Sequence, residues 1–283
     1  MTLVLPTSRM RRRGRYSAYE IAVFAAVAIL LLIAIIGPFI APDSIYTSDM
    51  LNTLNPPSLQ NLLGTDDQGR DIFWRIIAGA RLSLLSTIVV VAIYSVIGMI
   101  IATIATAGPK WVDEVLMRGT DIGLSLPSLV VALGFAAALG PSLQSGIIAL
   151  GVTGWPITAR VLRTTMRQTM EQPFVDGARV LGVSSTRLML KHVLPNSLDV
   201  LIVKWAGDIS FTLLILAGLS FIGVGAQPPS PEWGAMISDA RGEMSEAWWA
   251  VAGPGAAIAI NAIAFGLLAD ILQVRRDPSL QRR

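Results

Sequence analysis

The chain has 283 residues, of which 53% are hydrophobic and only 14% are charged, and this balance indicates an integral membrane protein. The sequence has no cysteine and a single histidine, which excludes disulfide frameworks, thiol nucleophiles and clustered Cys/His metal sites. The net charge of +3 comes from basic residues beside hydrophobic runs, where they serve membrane topology, so we exclude nucleic acid as a partner.

Hydrophobic runs predict an all-α protein with six membrane-spanning helices, because a span needs about 20 apolar residues with few charges. The runs lie at residues 21–41, 82–107, 120–139, 146–163, 197–227 and 247–269. A cleaved signal peptide is the competing interpretation of the first run. That run is too long and lacks a small-residue cleavage site, so we expect a retained helix.

The basic residues of the short loops predict which side of the membrane each loop faces. They cluster in the N-terminal tail, after the fourth run and in the C-terminal tail: Arg9, Arg11, Arg12, Arg13, Arg15, Arg160, Arg163, Arg167, Arg179, Arg187, Lys191, Arg275, Arg276, Arg282 and Arg283. Both termini are therefore expected in the cytoplasm. The predicted organisation is a cytoplasmic tail at 1–20, a first helix at 21–41, an extracytoplasmic segment at 42–81, a five-helix core at 82–272 and a tail at 273–283.

A polar segment with glycines, which we call the elbow (residues 171–195), lies between the fourth and fifth spans. We expect a short helix over 176–181, ended by Gly182 in the left-handed conformation. Either Ser184 or Ser185 can cap a second helix. The elbow would then contain two short helices that meet at an angle, with small residues where another surface could approach.

The second elbow helix should stop near Leu194, because Pro195 disfavours helix in the residue before it. Pro195 itself is well placed to begin the fifth span. An ordinary amphipathic connector on the membrane surface is the alternative interpretation. The sequence contains no G-x-x-x-x-G-K-[ST], H-E-x-x-H or G-x-S-x-G motif, so energy for any transport work must come from another protein.

Three motifs follow one another along the chain. They are Gly64-Thr65-Asp66 with Gly69-Arg70-Asp71, Arg75 and residues 79–84; Asp176-Gly177-Ala178 with Gly182 and Leu194-Pro195; and residues 219–236. The second resembles the coupling-loop motif of binding-protein-dependent ABC importer permeases, with Asp in place of the usual Glu and Gly in place of the first Ala. The first and third are similar to the dipeptide, oligopeptide and nickel branch, in particular its dipeptide-permease C-type subunit.

The resemblance implies a type I ABC importer permease fold in the plasma (inner) membrane of a prokaryote. It also implies that the elbow docks on a cytoplasmic ATPase and moves the membrane helices by alternating access. The residues implied in coupling are Asp176, Gly177, Ala178, Arg179, Gly182, Ser184, Arg187, Leu194 and Pro195. Of these, Arg179 and Arg187 would pair with acidic groups of the ATPase or with lipid phosphate.

Residues Gly64, Thr65, Asp66, Gly69, Arg70 and Asp71, which we call the outer signature, precede the second span. Thr65 or Asp66 can cap a helix there, while Arg70 and Asp71 could form local pairs. The segment is either a lip near the translocation gate or an interfacial helix that anchors the second span. On the last outer loop, Trp233 is expected to be an anchor at the membrane interface.

Lys204 and Asp208 are candidates for charges inside the membrane, one helical turn apart, where they can neutralise each other. They either line the translocation pathway, or Lys204 extends to the cytoplasmic headgroups. A proton-coupled secondary transporter would need several such groups along the spans, and Asp208 is the one candidate. A membrane enzyme would need a convergent catalytic set, which the sequence lacks.

We therefore expect a non-catalytic permease subunit of an ATP-driven importer for dipeptides or oligopeptides; the alternative in the same branch is nickel or a metal chelate. The resemblance implies a second homologous permease, two ATPase subunits, an extracytoplasmic binding protein and membrane lipid as partners. ATP and Mg would be bound by the ATPases, and no cofactor or metal is expected on this chain.

Overall fold

The computed structural model describes residues 16–276 of the protein. The arginines predicted to be cytoplasmic at positions 9–15 and 282–283 lie outside the described residues. Within 16–276 the backbone is helical apart from loops and one isolated bridge between Thr65 and Asp71. The all-α prediction is confirmed for this part of the chain.

Twelve α-helices follow one another in residues 16–276. They are α1 Ala18–Ile40, α2 Ile72–Ala107, α3 Lys110–Ser125, α4 Ser128–Leu139, α5 Leu143–Thr153, α6 Trp155–Met170, α7 Pro173–Val180, α8 Ser185–Leu188, α9 Leu194–Ser197, α10 Asp199–Phe221, α11 Trp233–Asp239 and α12 Trp248–Arg276. Five stretches within 16–276 are long and apolar enough to cross a membrane, namely α1, α2, α5 with α6, α10 and α12. The bent pair α3 and α4 makes six when it counts as one broken span.

The third span differs from its prediction as a single helix near 120–139. It starts at Lys110 and breaks at Leu126-Pro127, where α3 and α4 meet at 87°. Pro127 explains the break, because it keeps Leu126 extended (φ −93°, ψ 133°). Hydropathy missed the bend because the apolar character continues on both sides of the proline.

Helix α2 is the central element of the fold, and it runs unbroken over 36 residues. It packs against α1, α5, α6 and α10, while α10 packs against α12. At the crossing of α2 and α6, a β-carbon on Gly98 would lie 2.8 Å from the β-carbon of Thr158. Close packing of small residues is what holds these helices together in lipid, because the hydrophobic effect does not drive helix association there.

Candidate coupling surface and translocation cavity

The elbow begins with α7 and reverses direction at Gly182. The amide of Val183 donates to the carbonyl of Ala178 (3.1 Å), and the amide of Gly182 donates to the carbonyl of Arg179 (3.0 Å). Together these bonds close the end of the helix in the Schellman pattern. Gly182 has φ +77°, the left-handed conformation expected from the sequence. Ser184 occupies the cap position of α8, although its side chain makes no capping bond.

One face of the elbow is buried against the membrane helices. Val175, Ala178 and Leu188 pack in one apolar cluster with Ala102 of α2 and Leu201 of α10. The cluster also includes residues of α6 and of the following turn: Leu162, Met166, Met189 and Val193. A displacement of the elbow would therefore be transmitted to three membrane helices, because packed interiors deform little.

The opposite face of the elbow is open. Val180 and Leu181 are 87% and 84% exposed, and no heavy atom lies within 4 Å of a β-carbon placed on Gly177. Asp176 and Arg179 form a surface ion pair at 2.9 Å. Arg187, Ser184 and Pro195 are also exposed. The elbow thus combines an exposed apolar tip with surrounding charges.

The second elbow helix does not stop near Leu194 as predicted. It continues from α8 through a wide π-helical turn at Met189–Val193 into α9, which contains Pro195. In that turn the amide of Leu194 donates to the carbonyl of Met189, five residues back. The wider spacing accommodates a proline that lacks the amide for a normal helical bond. The prediction failed because it considered the restriction before proline without the widened turn.

Lys204 and Asp208 form an ion pair on α10, with side chains 14% and 19% exposed. The Lys204 ammonium also lies 5.4 Å from the centre of the Tyr94 ring. Both charged residues line a cavity of about 210 Å³ between α2, α10, the break at Leu126 and the junction of α5 and α6 at Gly154. The Lys204 ammonium is thus directed to Asp208 and to the ring of Tyr94.

Asp66 is the centre of a buried charge cluster in the outer signature. Its carboxylate accepts from the backbone amide of Arg70 (2.9 Å) and from the guanidinium of Arg70 (2.8 Å). Arg75, only 1% exposed, lies 3.5 Å from the same carboxylate and donates to the carbonyl of Ile45 (3.0 Å). The outer signature is therefore a folded, internally paired structure at the start of α2.

The predicted helix cap in the outer signature is wrong. Asp71 caps α2 and accepts from the amide of Trp74 (3.1 Å), whereas Thr65 donates to the carbonyl of Asn52 (2.5 Å). Arg70 pairs with the aspartates that precede it, and not with Asp71. The segment 64–71 is a loop, in which Gly64 and Gly69 have φ of +72° and +73°. Several residues there could cap a helix, and local sequence alone does not determine which one does.

Trp233 is buried, with 2% of its surface exposed, so its prediction as an interface anchor is wrong. Its indole donates to the carbonyl of Ile76 (3.0 Å), and its amide donates to the hydroxyl of Ser83 (3.2 Å). Glu232 caps α11 and accepts from the amides of Gly234 (3.0 Å) and Ala235 (2.9 Å). The last outer loop thus folds back onto α2.

Residues 94–282 match the family described as the inner membrane component of binding-protein-dependent transport systems. The chain belongs to this family. It is 38% identical to the probable D,D-dipeptide transport system permease protein DdpC of Escherichia coli, over 89% of this chain and 85% of that one. It is 35% identical to the dipeptide transport system permease protein DppC of Alkalihalophilus pseudofirmus, over 99% of this chain and 92% of that one.

Solved structures support the fold of this permease. A chain of the MetNI methionine ABC transporter, solved in inward-facing conformations, superposes with a TM-score of 0.60 at 16% identity. The superposition covers 72% of this chain and 97% of that one. The predictions of an ABC importer permease fold and of a multi-pass inner-membrane location are confirmed. The permease is a non-catalytic subunit, and ATP is hydrolysed on separate subunits.

Sequence reasoning missed several residues that organise the permease. Tyr94 was not singled out, although its ring faces the Lys204 ammonium. Asp113 on α3 also went unnoticed, yet it accepts from Arg163 and Arg167 on α6. An acidic residue next to a span and two arginines one turn apart were visible signals. Their pairing required knowing that α3 lies beside α6.

Proposed function

We propose that this permease imports dipeptides or oligopeptides, and that the elbow couples the membrane helices to a cytoplasmic ATPase. The relatives carry peptide names, which favours peptides over the nickel or metal-chelate alternative. Nucleotide and Mg are bound by the ATPase partners. Membership of the transport family argues against a proton-coupled secondary transporter.

The working assembly contains this chain, a second homologous permease, two ATPase subunits and an extracytoplasmic binding protein, in contact with membrane lipid. The basic clusters support an orientation with both termini in the cytoplasm, which brings the elbow to the side of the ATPases. The outer signature then faces the binding protein or the partner permease, where its buried ion pairs keep the start of α2 rigid.

The observation that carries the coupling proposal is the two-sided character of the elbow. Val175 and Ala178 are buried against helices that cross the membrane, whereas Val180 and Leu181 are almost fully exposed. The exposed tip provides apolar contact area for a groove on the ATPase. Asp176, Arg179 and Arg187 around the tip provide charges that orient the contact. Closure of the ATPase dimer would then be transmitted through the buried face.

Leu181→Asp tests the docking surface without disturbing the buried face. We expect this variant to insert normally, to lose copurification with the ATPase subunits and to reduce uptake of L-alanyl-L-alanine by at least about tenfold. Leu59→Asp is the matched control, because Leu59 is 99% exposed and lies in the predicted extracytoplasmic segment. It should keep copurification. Wild-type copurification and uptake in the Leu181→Asp variant would contradict the coupling role.

Gly182→Pro tests the hinge of the elbow. Proline fixes φ near −65°, which is incompatible with the φ of +77° at this position. The variant should insert in the membrane and lose uptake. Uptake at the wild-type level would count against a rigid coupling elbow.

A further inference from the structure

The cavity beside α10 lies where the span formed by α3 and α4 is broken at Leu126, next to the junction of α5 and α6 at Gly154; both residues line the cavity. Non-helical backbone at membrane depth is tolerated where it is buried in protein or lines a water-filled space. Broken helices in transporters also mark the places where substrates bind.

The cavity is large enough for a ligand. Its volume of about 210 Å³ is several times the ~30 Å³ that one water occupies in the liquid. A single bridging water would be enough to hydrate an ion pair, so the volume exceeds that need. Most of its described lining is apolar, with hydroxyls at Tyr94, Ser128, Thr153 and Thr212.

Among the described residues that line the cavity, Lys204 and Asp208 are the only ones with a charge at neutral pH. They form an ion pair, so the empty cavity carries no net charge. Stability alone does not account for the pair, because apolar residues often replace a buried pair without loss. A single charge in the membrane would be costly, and pairing removes most of that cost.

We infer that this cavity binds a zwitterionic ligand, whose free α-ammonium pairs with Asp208 and whose free α-carboxylate pairs with Lys204. The inference rests on the proposed peptide import and adds a recognition site within the membrane to it. Four residues along α10 span about 6 Å. Two extended residues span about 7 Å, so the side chains of Lys204 and Asp208, which are in contact in the free site, reach the two ends of a dipeptide once the ion pair opens.

Replacing the ion pair between the two side chains by contacts with the ligand keeps every charge paired. Before binding, Lys204 and Asp208 neutralise each other; after binding, each is neutralised by one end of the ligand. A ligand with a single charge would leave one side chain unpaired in an apolar cavity, which is unfavourable. The site therefore selects molecules that carry both charges at a short separation, as short peptides with free ends do.

The test uses the complete transporter in proteoliposomes, with its binding protein, and radiolabelled L-alanyl-L-alanine as the probe. The decisive variant is Lys204→Met with Asp208→Leu, which removes both charges and leaves neither one unpaired. We expect an unchanged thermal midpoint, normal copurification with the ATPase subunits and a fall in uptake of at least about tenfold. Asp208→Asn alone should also lower uptake.

Asp199→Asn is the matched control, because Asp199 begins the same helix and its side chain is 82% exposed. It should keep uptake within about twofold of wild type. Uptake within twofold in the double variant would overturn the inference, and so would a fall in uptake that accompanies a lowered thermal midpoint. If the wild type imports the peptide and the double variant imports it equally well, the inference is wrong but the proposed function stands. A wild-type assembly that imports no peptide would contradict the proposed function and the inference with it.

Discussion

Gly79 allows a close approach between α2 and Pro231 of the last outer loop. A β-carbon at this position would lie 1.9 Å from the carbonyl oxygen of Pro231. Gly79→Ala should therefore lower the free energy of unfolding by about 1–3 kcal/mol, because the obstructing atom belongs to the backbone and cannot rotate away. The measurement is the thermal midpoint of the purified permease in detergent, followed by tryptophan fluorescence.

Gly218→Ala is the control for Gly79→Ala, since both glycines lie in long membrane helices. No heavy atom lies within 4 Å of a β-carbon placed on Gly218, and alanine favours helix over glycine by about 1 kcal/mol. This variant should keep or raise the midpoint. Equal midpoints for the two alanine variants would show that the approach to Pro231 does not limit stability.

The burial of Trp233 illustrates what local sequence omits. A tryptophan on an outer loop is typical of an interface anchor, and that expectation uses only the residues nearby. Its hydrogen-bond partner Ile76 lies 157 positions earlier in the chain. By contrast, the left-handed conformation of Gly182 depends on its immediate neighbours, and the sequence predicted it correctly.

At the scale of elements, Asp113 ties α3 to the helix that leads into the elbow. Its carboxylate accepts from Arg163 and, at 2.6 Å, from Arg167, and only 10% of its side chain is exposed. Asp113→Asn should lower the free energy of unfolding by about 1–3 kcal/mol, because two guanidinium groups lose a charged partner. Chemical unfolding in detergent, monitored by circular dichroism, measures this change.

Asp121→Asn is the matched control on the same helix. Asp121 pairs with Arg160, but both side chains are more than half exposed. Exposed pairs contribute little, so this variant should stay within about 0.5 kcal/mol of wild type. If Asp121→Asn lowered the free energy of unfolding as much as Asp113→Asn does, the buried pairing would not be what stabilises the contact between α3 and α6.

The sequence predicted most spans well, because apolar length is the feature that a membrane helix cannot lack. For α1, α10 and α12, most of the predicted ends lie within a few residues of the observed ends. The prediction missed the bend at Leu126 and the wide turn at Met189–Val193. Both depend on how the helix accommodates a proline. The same local sequence can form a kink, a break or a widened turn.

At the scale of the whole molecule, buried charges from distant parts of the chain hold the outer signature and α11 together. Asp239 on α11 lies with Arg75 and Arg70 in this cluster. Burial removes water from its carboxylate and raises its pKa above the ordinary 3.8, although the two arginines oppose the change. The Asp71 pKa is also raised, again mainly by burial. The folded permease thus holds these protons more tightly than the unfolded chain does.

Proton linkage then fixes how stability changes with pH. A carboxyl whose pKa is higher in the folded state contributes stability that is fully present below pH 3.8 and is lost as the pH rises through its folded value. Asp239→Asn removes this titration, so the midpoint of the variant minus that of wild type should increase between about pH 4 and pH 7. Thermal midpoints across that range measure it. A flat difference for Asp239→Asn would mean that the buried cluster takes up no proton in this range, since stability of the whole molecule depends on pH only through protons that the two states hold unequally.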